Sequence, residues 1–131
     1  METLSGISGL TVMVVEDEYL IALNLEMALE EHGARVVGPF PRVAEALDHL
    51  ASMGLPDIAV LDINVAGTPV FPVAERLAAE GVPFVFATGY DKWTLPPAFG
   101  DVPRLSKPTD PAQLVQSLMR AARCKETGRV A

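Results

Sequence analysis

An α/β fold, one parallel sheet with helices on both faces, is the architecture this sequence predicts. Three observations predict it. Short β-branched apolar runs alternate five times with segments of helical apolar spacing, the rhythm of strand–helix–strand units. The central run, Ile58-Ala59-Val60-Leu61, is apolar without alternation, as a strand buried on both faces must be. The connections are short, which leaves room for one domain and no inserted second one.

Residues 1–9 show no periodicity and read as a leader. Leu10 to Val15 is the first strand and stops at Glu16-Asp17-Glu18. From Tyr19 to His32, Ile21, Leu25, Ala28 and Leu29 recur at helical spacing, with Leu20, Leu23 and Met27 widening the apolar face, and Gly33 ends the helix. Ala34 to Val37 is a short second strand bounded by Gly38-Pro39. A second helix spans about Val43 to Met53, with Val43, Ala46, Leu47 and Leu50 on one face, and Gly54 closes it. The central strand follows and runs into Asp62. Val65-Ala66-Gly67-Thr68-Pro69 is a loop by composition.

A third helix spans about Phe71 to Glu80, with Pro72 in its first turn, where proline is tolerated. Val82 to Ala87 is the fourth strand and ends at Thr88-Gly89. Between Tyr90 and Asp101, Pro96-Pro97 and Gly100 break any long helix, so the fourth helix is expected to be short or irregular. Arg104-Leu105-Ser106 is a short fifth strand. Asp110 is then an N-cap, with Pro111 at the first helical position and Gln113 in the capping-box place. The last helix, to about Arg123, buries Leu114, Val115, Leu118 and Ala122, and residues 124–131 form a tail.

Composition narrows the function. The 131 residues are 50% apolar and 21% charged, the balance of a soluble globular domain. No apolar run is long enough to cross a bilayer, and the N-terminus lacks the basic and apolar regions of a signal peptide, so a cytoplasmic protein with no membrane partner is expected. Cys124 is the sole cysteine, which rules out a disulfide framework and a cysteine metal site. A formal net charge of -7 argues against nucleic acid as a partner, since such surfaces are usually basic.

The strand ends carry the chemistry. The first strand ends in Glu16 and Asp17, the third in Asp62, the fourth in Thr88 and the fifth in Lys107. A parallel sheet brings all of these to one edge, where α/β proteins bind ligands. The expected pocket holds three carboxylates, a hydroxyl and an ammonium. Clustered carboxylates repel one another unless a cation intervenes, and an oxygen-only donor set suits Mg²⁺, with Mn²⁺ as an alternative, rather than zinc. A carboxylate attacking phosphorus in such a pocket would have the charge of the phosphoryl group neutralised by the cation and Lys107, while Thr88 donates a hydrogen bond.

With these residues in order, the chain resembles the receiver domains of two-component response regulators over about residues 10–123. The resemblance rests on Glu16-Asp17, on Asp62, Thr88 and Lys107-Pro108, each weak alone and strong together at successive strand ends. It implies a flavodoxin-like, doubly wound (βα)5 domain with Asp62 as the phosphoacceptor. It further implies that Asp17, Asp62 and the backbone carbonyl of Asn64 hold Mg²⁺ directly, while Glu16 acts through a metal-bound water. Lys107 pairs with the phosphoryl group, Thr88 moves toward it, and the Lys107–Pro108 bond is cis. The implied partners are a sensor histidine kinase or phosphotransfer protein and a downstream protein target. A relay intermediate or phosphate sink is the other output. Such a domain assists its own phosphorylation but is no enzyme otherwise.

Two features depart from the common pattern. Arg104 stands where many receivers have a switch aromatic, and Phe86-Ala87-Thr88-Gly89-Tyr90 resembles the subgroup nicknamed FATGUY, which makes Tyr90 a candidate replacement. Pro96-Pro97 disturbs the fourth helix on a face through which receivers often signal.

Simpler readings exist for each residue. Asp62 alone could be a loop cap, Thr88-Gly89 a turn, Lys107 a solvated lysine, and Glu18 a dipole-favoured acid at a helix start. His32 and His49 read as surface residues rather than phosphate carriers. Two rival functions fit less well. A nucleotide- or flavin-binding protein needs a glycine-rich phosphate loop after the first strand, and Glu16-Asp17-Glu18 stands there instead. A pseudo-receiver acting purely as an interaction module would not need the acceptor, the metal carboxylate, the hydroxyl and the lysine together.

Overall fold

The computed structural model describes residues 6–89, 95–107 and 109–126. Strands β1 (Thr11–Val15), β2 (Arg35–Phe40), β3 (Ile58–Asp62), β6 (Phe84–Thr88) and β7 (Arg104–Ser106) form one sheet in the order β2-β1-β3-β6-β7. All neighbouring pairs in it are parallel. Between β3 and β6, the two-residue strands β4 (Asn64–Val65) and β5 (Thr68–Pro69) pair antiparallel as a hairpin. The α-helices of the described residues are α1 (Tyr19–Glu31), α2 (Val43–Ser52), α3 (Phe71–Ala79) and α4 (Pro111–Glu126).

Strand periodicity sorts the core into two layers. Met13, Ala59, Leu61, Phe84 and Phe86 face α2 and α3, meeting Ala46, Leu50, Val73 and Leu77. Val12, Val14, Val60, Val85 and Ala87 face the other way, onto Leu25 and Leu29 of α1 and Leu114 and Leu118 of α4. Every residue of β3 is buried, because both of its faces are covered and it has a strand on each side. This is the expected doubly wound, flavodoxin-like domain, and its central strand carries Asp62 to the carboxyl edge.

Several boundaries differ from the sequence reading. Ile7, placed there in the leader, is fully buried against the α1–α4 layer. Leu20 and Met27, expected to widen the buried face of α1, are 70% and 51% exposed, and Ala22 is buried instead. The capping of α4 follows expectation, with the Gln113 N–H donating to Asp110 Oδ2 at 3.3 Å. Its backbone runs to Glu126, past the expected end at Arg123.

The second strand does not stop at Gly38-Pro39. It continues to Phe40, with a register shift where Met13 and Val15 pair with Val37 and Phe40. Proline is tolerated because β2 is an edge strand, where a missing N–H breaks no ladder bond on the open side. The Gly38–Pro39 bond is cis. Gly38 itself has φ +100°, and a Cβ there would lie 2.8 Å from both the Val14 carbonyl oxygen and the Phe40 nitrogen. Neither backbone atom can yield cheaply. Gly38→Ala is therefore expected to destabilise the fold by about 1–3 kcal/mol. Urea unfolding would read this as a lower midpoint with an unchanged slope, and an unaltered midpoint would contradict the tight approach.

Between β6 and β7 the described residues contain a 3₁₀ turn, Pro97–Phe99, rather than an α-helix. Phe99 anchors this turn, with ring centroids 5.8–6.1 Å from Phe84, Phe86 and Phe71. The described part of this segment, which holds Pro96-Pro97, is thus short and irregular as expected, and an aromatic contact fixes its C-terminal end to the sheet.

Candidate functional site

Asp62 is the last residue of β3 and is 7% exposed. It is deep because β1 and β6 flank its strand; parallel register sets Asp62 opposite Ala87, one residue before Thr88. Glu16 follows β1 directly and is also buried, while Asp17 is exposed. Carboxylate oxygens of Glu16, Asp17 and Asp62 all lie within 4.8 Å of one another. Lys107 follows β7, and its backbone N–H donates to the Thr88 carbonyl at 2.8 Å, which locks the ends of the last two strands together.

The Lys107 ammonium sits between two of the acids. Its Nζ is 3.0 Å from Asp62 Oδ2 and 2.7 Å from Glu16 Oε1. The Glu16 contact is a close ion pair lying off hydrogen-bond alignment. Glu16 Oε2 accepts a hydrogen bond from the Glu18 N–H at 3.1 Å, so both oxygens of this buried acid face protein partners.

These contacts set the proton affinities. Burial foremost, and then the neighbouring Glu16 charge, push the Asp62 carboxyl up to about 7, although Lys107 and the Asn64 N–H pull the other way. Burial lowers Lys107, but its contacts with Glu16 and Asp62 outweigh that and hold the ammonium above its ordinary value. The site therefore carries more negative charge than one lysine balances, and a divalent cation would relieve the excess. The donor set fits one. It offers hard carboxylate oxygens with no histidine or cysteine among them, and exposed Asp17 leaves an open side.

The hairpin supplies a further fitting group. Asn64 pairs with Pro69 and Val65 with Thr68, closing a two-residue turn, Ala66-Gly67. In a two-residue hairpin the closing pair exchanges hydrogen bonds and the next pair does not. Asn64 is in that next pair, so its N–H and C=O point out of the hairpin. The N–H reaches Asp62 Oδ1 at 3.4 Å.

No family model matches the chain. Known proteins do. Over 115 residues it is 30% identical to the sensory transduction protein LytT of Bacillus subtilis, covering 85% of this chain and 47% of that one. The chain spans about half the length of the curated relatives it matches. Among solved structures, SdrG from Sphingomonas melonis Fr1 is 38% identical with a TM-score of 0.77, covering 91% of this chain and 98% of that one. The signal receiver domain of a modulated diguanylate cyclase from Desulfovibrio desulfuricans G20 is 29% identical with a TM-score of 0.76, again covering 91% and 98%.

The chain belongs to the response-regulator receiver family. Its class of function is receiver-domain signalling, in a family of signalling domains rather than classical enzymes. Among the described residues no helix is long and apolar enough to cross a membrane. The receiver's carboxyl edge holds Glu16, Asp17, Asp62, Asn64, Thr88 and Lys107, all named from the sequence. Arg104 is exposed on β7, opposite Phe86. Tyr90 and the Lys107–Pro108 bond lie outside the described residues. His49 is half-buried, with its ring 5.2 Å from that of Phe40.

Sequence reasoning missed two things here. Glu16 holds Lys107 directly, a contact that depends on side-chain reach across the sheet edge. The hairpin left a faint signal, a two-residue gap between Val65 and Thr68, but without the Asn-Gly or Asp-Gly that usually marks such a turn.

Proposed function

We propose that Asp62 accepts a phosphoryl group from a phosphohistidine donor in a Mg²⁺-dependent step. The observation that supports this best is a buried strand-end carboxylate with an ammonium 3.0 Å away, inside an acidic cluster of cation-binding size. Asp62 in its ionised form attacks phosphorus. The new O–P bond forms as the P–N bond to the donor imidazole breaks, and the imidazole leaves with the bonding electron pair. Lys107 pairs with the phosphoryl oxygens as they approach, and the Thr88 hydroxyl donates a hydrogen bond to one of them. Asp17, Asp62 and the Asn64 carbonyl would hold Mg²⁺ (Mn²⁺ is an alternative), with Glu16 acting through water, and the ion would neutralise charge on the phosphoryl group.

The donor is a sensor histidine kinase or phosphotransfer protein. The phosphorylated domain then binds a downstream protein target, or passes the group on as a relay intermediate or sink. Acetyl phosphate tests the central claim without a cognate kinase. Wild type in Mg²⁺ is expected to gain one phosphoryl group by mass, and to change its amide spectrum with beryllofluoride. EDTA or Asp62→Asn should abolish both. No response in the wild type with Mg²⁺ would overturn the acceptor assignment and favour a pseudo-receiver.

A further inference from the structure

The β4–β5 hairpin is built more firmly than a connecting loop requires. Ala66 and Gly67 both have positive φ, +52° and +86°, the pairing a type I′ turn demands. Alanine is disfavoured in that region, so the surrounding contacts must hold it there. They do so on both sides of the turn. Val65 and Val70 are buried in the α2–α3 layer, and the Val70 N–H donates to the Ile63 carbonyl at 2.8 Å.

Pro69 fits the same design. It lies opposite Asn64, the non-hydrogen-bonded position of the hairpin, where a missing N–H breaks no bond. Both polar backbone groups of Asn64 thus face outward on the side of Asp62, where its N–H is already engaged. The Asn64 side chain adds to this, since its Oδ1 is buried with no hydrogen-bond partner among the described residues.

We infer that the Asn64–Pro69 hairpin is a positioning device for divalent-cation binding, presenting the Asn64 peptide to the Asp62 side already ordered. The inference rests on the proposed metal-binding role of Asp62 and Asn64, and it assigns a task to Ala66, Gly67, Thr68 and Pro69, none of which is among the proposed metal or phosphoryl ligands. A loop that had to order on binding would lose affinity by the cost of fixing its backbone.

Mg²⁺ titration by calorimetry, without any phosphodonor, tests it. Gly67→Val places a β-branched residue at φ +86°, and Thr68→Pro removes the donor of the closing pair. Each is expected to weaken Mg²⁺ binding about tenfold, the equivalent of ordering roughly one residue. Cross-hairpin amide signals should be lost while the circular dichroism of the sheet and helices is kept. Ala66→Asn, which suits the left-handed region, should retain wild-type affinity. Wild-type affinity in both disrupted variants would overturn the inference and leave Asp62 as a metal ligand. Failure of the wild type to bind Mg²⁺ would overturn the proposed metal site and this inference together. If Gly67→Val does not fold, Thr68→Pro, at an exposed position, decides.

Discussion

Asp62→Asn is expected to stabilise the metal-free domain, by an amount that grows as pH rises to neutrality and then levels off. The Asp62 carboxyl is raised from 3.8 to about 7 by burial and by Glu16. A raised acid binds its proton more tightly in the folded state than in the unfolded chain. Its favourable contribution is therefore complete below about 4 and is lost as pH climbs through about 7. Above that the buried, ionised carboxylate weighs against the fold. Asparagine is nearly the same shape and has no charge to bury, so the gap between variant and wild type should open across this window and reach on the order of a few kcal/mol at most. Thermal unfolding in EDTA from pH 5 to 8.5 measures it, and the difference between proteins cancels the common titrations of other groups. Mg²⁺ should raise the wild-type midpoint and leave that of Asp62→Asn little changed, because a ligand stabilises only the state that binds it. A gap that stays constant with pH would contradict the assignment of the raised carboxyl to Asp62.

A site that is unstable when empty is also one poised to bind. The same burial that raises Asp62 is imposed by its place on the central strand, and this placement was legible in the sequence. Ile58 to Leu61 had to be covered on both faces, and parallel topology then had to bring Glu16, Asp17, Thr88 and Lys107 to the same edge. Periodicity predicts which residues reach an edge. It does not predict how side chains divide their contacts once there. The resemblance implies a water-mediated role for Glu16, and its oxygens also face Lys107 and the Glu18 N–H, contacts that spacing alone does not show. Local composition misled in a different way. Gly38-Pro39 looks like a strand terminator but lies within an edge strand, and Val65 to Pro69 looks like a loop but forms a hairpin. In both cases tertiary pairing overrode the local preference. Long-range packing also explains Ile7, which has no periodic neighbours in sequence and is buried by α1 and α4.

Lys107→Ala should have the largest effect on stability. The ammonium is close to both Glu16 and Asp62, and its side chain is only 11% exposed, so solvent screens these contacts weakly. Its removal leaves two buried acids facing each other without a cation. Breaking a buried pair from one side typically costs about 3–5 kcal/mol, and the metal-free variant is expected to fall in that range at pH 8. Lys107 is held above its ordinary value, so its own contribution is present at all lower pH and disappears only in strong alkali. Any change between pH 5 and 8 must then come from the carboxylates. Acidification should restore much of the lost stability as Asp62 takes up a proton, and Mg²⁺ should restore part of it at pH 8 by replacing the missing positive charge. Lys107→Arg, which keeps the charge but not the shape, should fall between alanine and wild type. Phosphorylation by acetyl phosphate separates the two duties of the lysine. If Lys107 also stabilises the transferring group, the alanine variant should remain slow by about 10²–10³ even in saturating Mg²⁺. Recovery of the wild-type rate along with the fold would confine Lys107 to holding the buried acids.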